Sequence, residues 1–185
     1  MILGFIGTGK ISSSIIFGIF KSKLKIKRIY ISSRNRNIAK KLSKSYGKIK
    51  VLNNNQEIRA EVFFNKETRF DFLLKNKKQK SFVEVKNVTL FRDKNTAEFP
   101  DAVTSRGSKH LLALIDAIKK GYNAYLIFLV QIQNMDNFKI AGDIDSEYYK
   151  NYLIAKKAGV NFLAYRCDIS SKKIFIDKKL KIIND

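Results

Sequence analysis

The chain has 185 residues and is 45% hydrophobic, enough for one ordinary domain, or one domain plus a fragment, with a filled core. Its 37 basic residues against 16 acidic ones give a formal charge of +21, which favours polyanionic partners; the alternative is a solvated, lysine-rich surface with no partner at all. The single cysteine, Cys167, excludes an intramolecular disulfide and a zinc site built on paired cysteines. The apolar run at residues 15–20 is far shorter than the roughly 20 residues a membrane span needs, so no membrane partner and a reducing, cytoplasmic location are expected.

Hydrophobic periodicity at the start of the chain predicts a strand at residues 2–6, a glycine turn, a helix at 11–20, a strand at 28–32, a helix at 37–46 and a short strand at 49–52, in βαβαβ order. Residues 1–58 carry 13 Lys and Arg and one acid, Glu57, whereas the remainder holds 24 bases and 15 acids. The shift coincides with Asn53-Asn54-Asn55-Gln56, a turn-favouring stretch that places a boundary near Ile58 and defines segments 1–58 and 59–185. Beyond it, strands are expected at 60–64, 70–74 and 82–89, a helix at 108–120, an apolar strand at 124–131, a helix at 146–158, and strands at 162–167 and 173–176. That order suits a mixed sheet flanked by helices.

Gly7-Thr8-Gly9 follows a strand and opens a helix, the context in which glycines let a pyrophosphate approach a helix N-terminus. The third small position is Ser12. The acid expected after the second strand is replaced by Ser32-Ser33-Arg34, and an arginine there favours a 2′-phosphate, hence NADP over NAD. Gly7, Gly9 and Arg34 are therefore the cofactor-binding candidates, against the alternative of a unit that only packs. With Gly4-Phe5-Ile6-Gly7-Thr8-Gly9, Ser33-Arg34-Asn35 and Asn55-Gln56-Glu57, this segment resembles the N-terminus of pyrroline-5-carboxylate reductase, an NADP-dependent proline-biosynthesis enzyme. The resemblance stops near Ile58 and implies an inactive remnant. Half a Rossmann sheet holds half a dinucleotide, so NADP(H) is expected to bind weakly or not at all.

In Phe82-Val83-Glu84-Val85-Lys86 the alternation projects Glu84 and Lys86 from one strand face. Asp71 is likewise an acid inside an apolar strand, and a hairpin through residues 75–81 brings it beside them. Two carboxylates facing a lysine suit Mg²⁺ or Mn²⁺, with Asp71 and Glu84 as metal ligands and all three as catalytic candidates. Taken alone, Glu-x-Lys also reads as a solvent-facing salt pair. The spacing is that of the PD-(D/E)xK nuclease core, and a helix with basic residues follows.

The segments at 69–74, 83–90 and 99–111, and the continuing similarity at 124–130, 145–148 and 159–168, resemble the C-terminal domain of the sugar fermentation stimulation protein A family over about residues 60–183. That resemblance implies a restriction-endonuclease-like mixed sheet with flanking helices, here preceded by a partial Rossmann βαβαβ unit. It also implies DNA binding and metal-dependent phosphodiester cleavage, or alternatively a non-catalytic DNA-binding regulator of sugar metabolism. Asp101, Arg106, Lys109 and His110 belong to the family's second motif, Arg106 and Lys109 as phosphate contacts. Asp101 alternatively caps a turn after Pro100, and His110 alternatively is a buried, hydrogen-bonded side chain. Family members carry an OB-like domain and a connecting helix ahead of the core. Here the reductase-like segment stands in that place, and Glu61 is the candidate to replace any acid such a helix supplies.

Overall fold

The computed structural model describes all residues except 1, 6–9, 22–26, 33–35, 53–56, 77–78, 171–172 and 184–185. The chain divides into two compact units, Met1–Asn55 and Gln56–Asp185. The first runs β1 (Ile2–Phe5), α1 (Lys10–Lys21), β2 (Arg28–Ser32), α2 (Arg36–Ser45), β3 (Ile49–Leu52). Strand β2 pairs in parallel with β1 on one side and β3 on the other, as strands joined through helical crossovers do. Its core is small. Ile16 of α1, Ile29 and Ile31 of β2, Ala39 and Leu42 of α2, and Ile49 of β3 build it, at spacings that put them on one strand face and one helix face. Gly7, Gly9 and Arg34, on which the dinucleotide expectation rests, lie outside the described residues.

In the second unit β4 (Glu57–Phe63), β5 (Arg69–Lys75) and β6 (Lys80–Val88) form an antiparallel meander. Two short strands, β7 (Leu90–Asp93) and β8 (Thr96–Phe99), precede α3 (Ser105–Lys119), which leads into β9 (Asn123–Val130), parallel to β6. Strand β10 (Asn137–Ile140) and helix α4 (Ser146–Lys157) then lead into β11 (Asn161–Ser170), parallel to β9, and β12 (Lys173–Lys179) returns antiparallel before the short β13 (Lys181–Ile182). The large sheet has the order β12-β11-β9-β6-β5-β4, and a smaller one the order β13-β10-β8-β7.

β9 explains why the large sheet holds together. Ala124, Leu126, Phe128 and Val130 are buried on one face while Tyr125, Ile127 and Leu129 are half-buried on the other, the pattern of a strand flanked by two parallel neighbours. Truncating Phe128 to Ala would cost roughly 3–5 kcal/mol. Helix α3 turns Leu111, Leu114 and Ala117 into this core at helical spacing and stops where Gly121 takes φ +80°.

Several boundaries differ from the sequence expectation. Helix α3 begins at Ser105 instead of residue 108, because Thr104 caps it: its Oγ1 accepts the Gly107 N–H at 3.0 Å. Arg106 thus lies in the first helical turn instead of a loop. The four strands of the small sheet have no counterpart in the sequence expectation, since each has at most four residues. No described helix is long and apolar enough to cross a membrane.

Candidate active site

The β5–β6 ladder runs from Lys75↔Lys80 to Phe72↔Val83. One residue further on, the Val85 N–H donates to Asp71 Oδ2 at 2.7 Å. The Asp71 carboxylate thus occupies the fork between the strands and satisfies a backbone donor that the ladder no longer serves. Burial raises its pKa above the usual range, the Val85 hydrogen bond opposes that shift, and the nearby Glu84 charge adds to it.

Glu84 comes from β6, between β5 and β9, and is 3% exposed. Lys86, two residues on, returns its Nζ to Glu84 Oε1 at 2.8 Å, so both side chains share a face. His110 of α3 brings Nδ1 to the same oxygen. An ionised carboxylate only accepts, so Nδ1 carries the proton of that bond, and the 3.3 Å approach of Lys86 Nζ to Nδ1 is a contact between two donors. Burial alone would raise the Glu84 pKa. The hydrogen bonds from His110 and Lys86, with the charges behind them, outweigh it and hold the carboxyl below the usual range. Glu84 is consequently an anion in a nearly dry setting.

Beside this cluster lies a groove of about 800 Å³ between the β4–β5 turn and α3, lined by the bases Arg69, Arg106 and Lys109, the acids Glu67 and Asp116, and His110. Arg106 and Lys109 are exposed along its wall. His110 therefore joins the groove to Glu84, and both readings of it hold in part: it is buried and hydrogen-bonded, and it touches the candidate acid. Asp101 is exposed and does not line the groove. Glu61 ion-pairs with Arg69 at 2.9 Å, and its charge is felt at Asp71. Sequence reasoning did not single out Asn65, Thr68 or Arg69. The signal for Arg69 was its place two residues before Asp71 on the same strand.

Two carboxylates at the end of a hairpin, one of them keeping an oxygen clear of its backbone bond, form a hard-oxygen donor set that fits Mg²⁺ or Mn²⁺ retaining several waters. No group of three or more His, Cys, Asp or Glu that could hold a metal occurs among the described residues. Asp71 and Glu84 are the two acids here that could offer oxygens to such an ion.

A mixed sheet crossed by two helices, with a buried glutamate, a lysine and a histidine joined beside a charged groove, defines a mixed α/β domain with a polar site at one end of a β-hairpin. The chain belongs to the sugar fermentation stimulation protein family: residues 33–173 match the Sugar fermentation stimulation protein RE domain. The Sugar fermentation stimulation protein homolog of Pelagibacter ubique is 73% identical over 136 residues, covering 74% of this chain and 59% of that protein. The homolog of Clostridium acetobutylicum is 42% identical over 119 residues, covering 64% and 51%. The structure of Pyrococcus furiosus SfsA in complex with Ca²⁺ superposes with a TM-score of 0.65 at 26% identity, covering 71% of this chain and 57% of that one. The chain thus spans between half and three fifths of the length of these relatives. The family match begins at residue 33, well before the expected start near residue 60, and takes in α2 and β3. The resemblance of residues 1–58 to a reductase gains no support from these comparisons.

Proposed function

We propose that the chain is a DNA-binding, restriction-endonuclease-like phosphodiesterase of the PD-(D/E)xK type that depends on a divalent cation. The observation that carries this reading is the cluster itself: an ionised, buried Glu84 bonded to Lys86 and His110, with Asp71 at the neighbouring fork. Asp71 and Glu84 hold the cation, and the Ca²⁺ in the Pyrococcus furiosus relative is a hard cation of the same preference. When bound, Mg²⁺ or Mn²⁺ supplies an activated water and charge neutralisation at the scissile phosphate. Lys86, steered by Glu84 Oε1, offers its ammonium to the attacking water or the developing charge. Arg106 and Lys109 bind phosphates along the groove. His110 holds Glu84 in place.

For the first unit the reading is limited to a partial Rossmann βαβαβ unit that packs its own small core, with no NADP(H) role. Incubation of the full chain with plasmid and with single-stranded DNA in Mg²⁺ or Mn²⁺ tests the proposal, with Glu84→Ala as the control for contaminating nuclease. Cleavage is expected from the wild type alone, and chelation should stop it. Binding without cleavage in either metal would favour the non-catalytic regulator, and equal cleavage by Glu84→Ala would remove Glu84 from the chemistry.

A further inference from the structure

We infer that Phe63, backed by Arg69, is a stacking platform for an unpaired nucleobase, which makes single-stranded DNA the preferred ligand of this site. The inference deepens the reading of the site as a DNA site and rests on it. Two consecutive phenylalanines at the end of β4 have opposite surroundings. Phe64 packs against the core, its ring 5.5 Å from that of Phe70 and 5.1 Å from that of Phe82. Phe63, on the edge strand, is 67% exposed, more than any other aromatic residue among those described. A single apolar side chain in water needs no explanation by itself, but this one stands beside the candidate acids. Phe63 and Arg69 are the pair that closes the β4–β5 ladder, and residues directly opposite in an antiparallel pair share a sheet face. Asp71, two residues beyond Arg69, lies on that face too. Strand geometry puts Phe63 diagonally across from Asp71 at roughly 7–8 Å between Cα atoms, a span that one nucleotide bridges from phosphate to base.

The neighbours of the ring suit a nucleotide. The Arg69 guanidinium lies over it, 5.7 Å from the centroid, and is held by Glu61, whose carboxylate is 2.9 Å from Nε. The same arginine lines the groove with Arg106 and Lys109. An aromatic ring for the base beside cations for the phosphates is how proteins hold single strands without reading sequence, because every base has a π-face. In a duplex those faces are stacked on one another, so only an unpaired base can offer one. Of the acids nearby, Glu61 is engaged by Arg69 and Asp116 by Lys120 at 2.8 Å, while Glu67 is exposed at the turn, where water and salt screen it. The turn itself is pinned: Asn65 Oδ1 accepts the Glu67 and Thr68 N–H groups at 2.9 and 2.6 Å, and the Phe64 N–H donates to the Thr68 carbonyl at 2.9 Å. The ring is thus presented on a preorganised hairpin end, and little ordering is left to be done when a base arrives.

Anisotropy titrations of one short labelled oligonucleotide, as single strand and as duplex, test the platform on the full chain, with chelator present to prevent cleavage. Phe63→Ala should lose about tenfold in single-strand affinity, while Phe63→Trp stays within about twofold of the wild type. Duplex affinity should change less than about twofold, and the salt slope on the single strand should be the same for both proteins, because a lost ring releases no counterions. A 2-aminopurine base in the single strand should be quenched by the wild type and much less by Phe63→Ala. Equal single-strand affinity for wild type and Phe63→Ala, or equal losses on single strand and duplex, would overturn the inference and leave the DNA reading standing. A dimer in sedimentation that Phe63→Ala abolishes, alongside unchanged DNA affinity, would make a second copy of this chain the occupant instead. If the wild type binds neither form at low salt, the DNA reading fails and the platform fails with it.

Discussion

Glu84 and Glu98 are buried almost equally, 3% and 2% exposed, yet their surroundings differ in kind. Glu98, in the small sheet, receives the Arg92 guanidinium: Nε lies 3.2 and 3.1 Å from its two oxygens, a second guanidinium nitrogen also bonds it, and the same arginine reaches Asp143. Hydrogen bonding to Arg92 holds the Asp143 carboxyl at about 2. A single planar fork thus saturates Glu98 and clips β7 to the turn that carries Asp143. Glu84 takes both of its donors, Lys86 and His110, on one oxygen, while the other has no partner within the protein, and Asp71 and a groove of mixed charge lie nearby. A saturated buried carboxylate holds structure together, while one that is ionised and incompletely used is available for chemistry.

The largest effect expected from this contrast is on stability. Arg92→Ala leaves Glu98 buried without its counter-ion, and the melting temperature should fall on the order of 5 °C or more. Arg92→Lys, which cannot fork, should fall between. A change below about one degree on a thermal melt would mean that the two glutamates do not differ in the way argued.

On DNA the order reverses. Arg106→Ala and Lys109→Ala should each weaken binding and lower the slope of log affinity against log salt by about one, while Arg92→Ala leaves the slope alone. Binding titrations between low and physiological salt read this directly, and an affinity that ignores salt would remove the electrostatic argument.

The smallest effects are those of pH on the metal-free protein, and they carry opposite signs at the two candidate ligands. Glu84 has a lowered pKa, so it contributes stability above its ordinary value of 4.5 that is lost as pH falls through the folded value; Glu84→Gln should be less stable at neutral pH and show a flatter acid limb. Asp71 has a raised pKa, so ionising it costs stability as pH rises above 3.8; Asp71→Asn should melt slightly higher than wild type at neutral pH, with the gap closing toward pH 3.8. Urea melts across that range would break the comparison if both variants moved the same way.

The hairpin that carries Asp71, Glu84 and Lys86 was legible because its apolar residues alternate and its turn is polar, and α3, β9 and α4 were legible from their periodicity. The small sheet was not. Leu90–Asp93 and Thr96–Phe99 are short strands interrupted by charge, and Glu98 reads as a loop acid until Arg92 is seen to cover it. His110 left two readings open because its partners, Glu84 and Lys86, lie more than twenty residues away in sequence. Tyr148 gave no signal among Tyr149 and Tyr152 on the same helix. A Cβ on Gly107 in another helix would come within 3.0 Å of the Tyr148 ring, and no local pattern records that approach.

The proposed nuclease site requires that Asp71 and Glu84 share one divalent cation. Thermal melts with and without Mn²⁺ test it most directly, because an ion that binds only the folded chain at about a hundred times its Kd adds about 2.7 kcal/mol, roughly 5–10 °C for a chain of this size. That rise is expected for the wild type, and a response below about one degree for the Asp71→Asn, Glu84→Gln double variant. A wild type that ignores Mn²⁺ and Mg²⁺, or a double variant that responds as the wild type does, would contradict it.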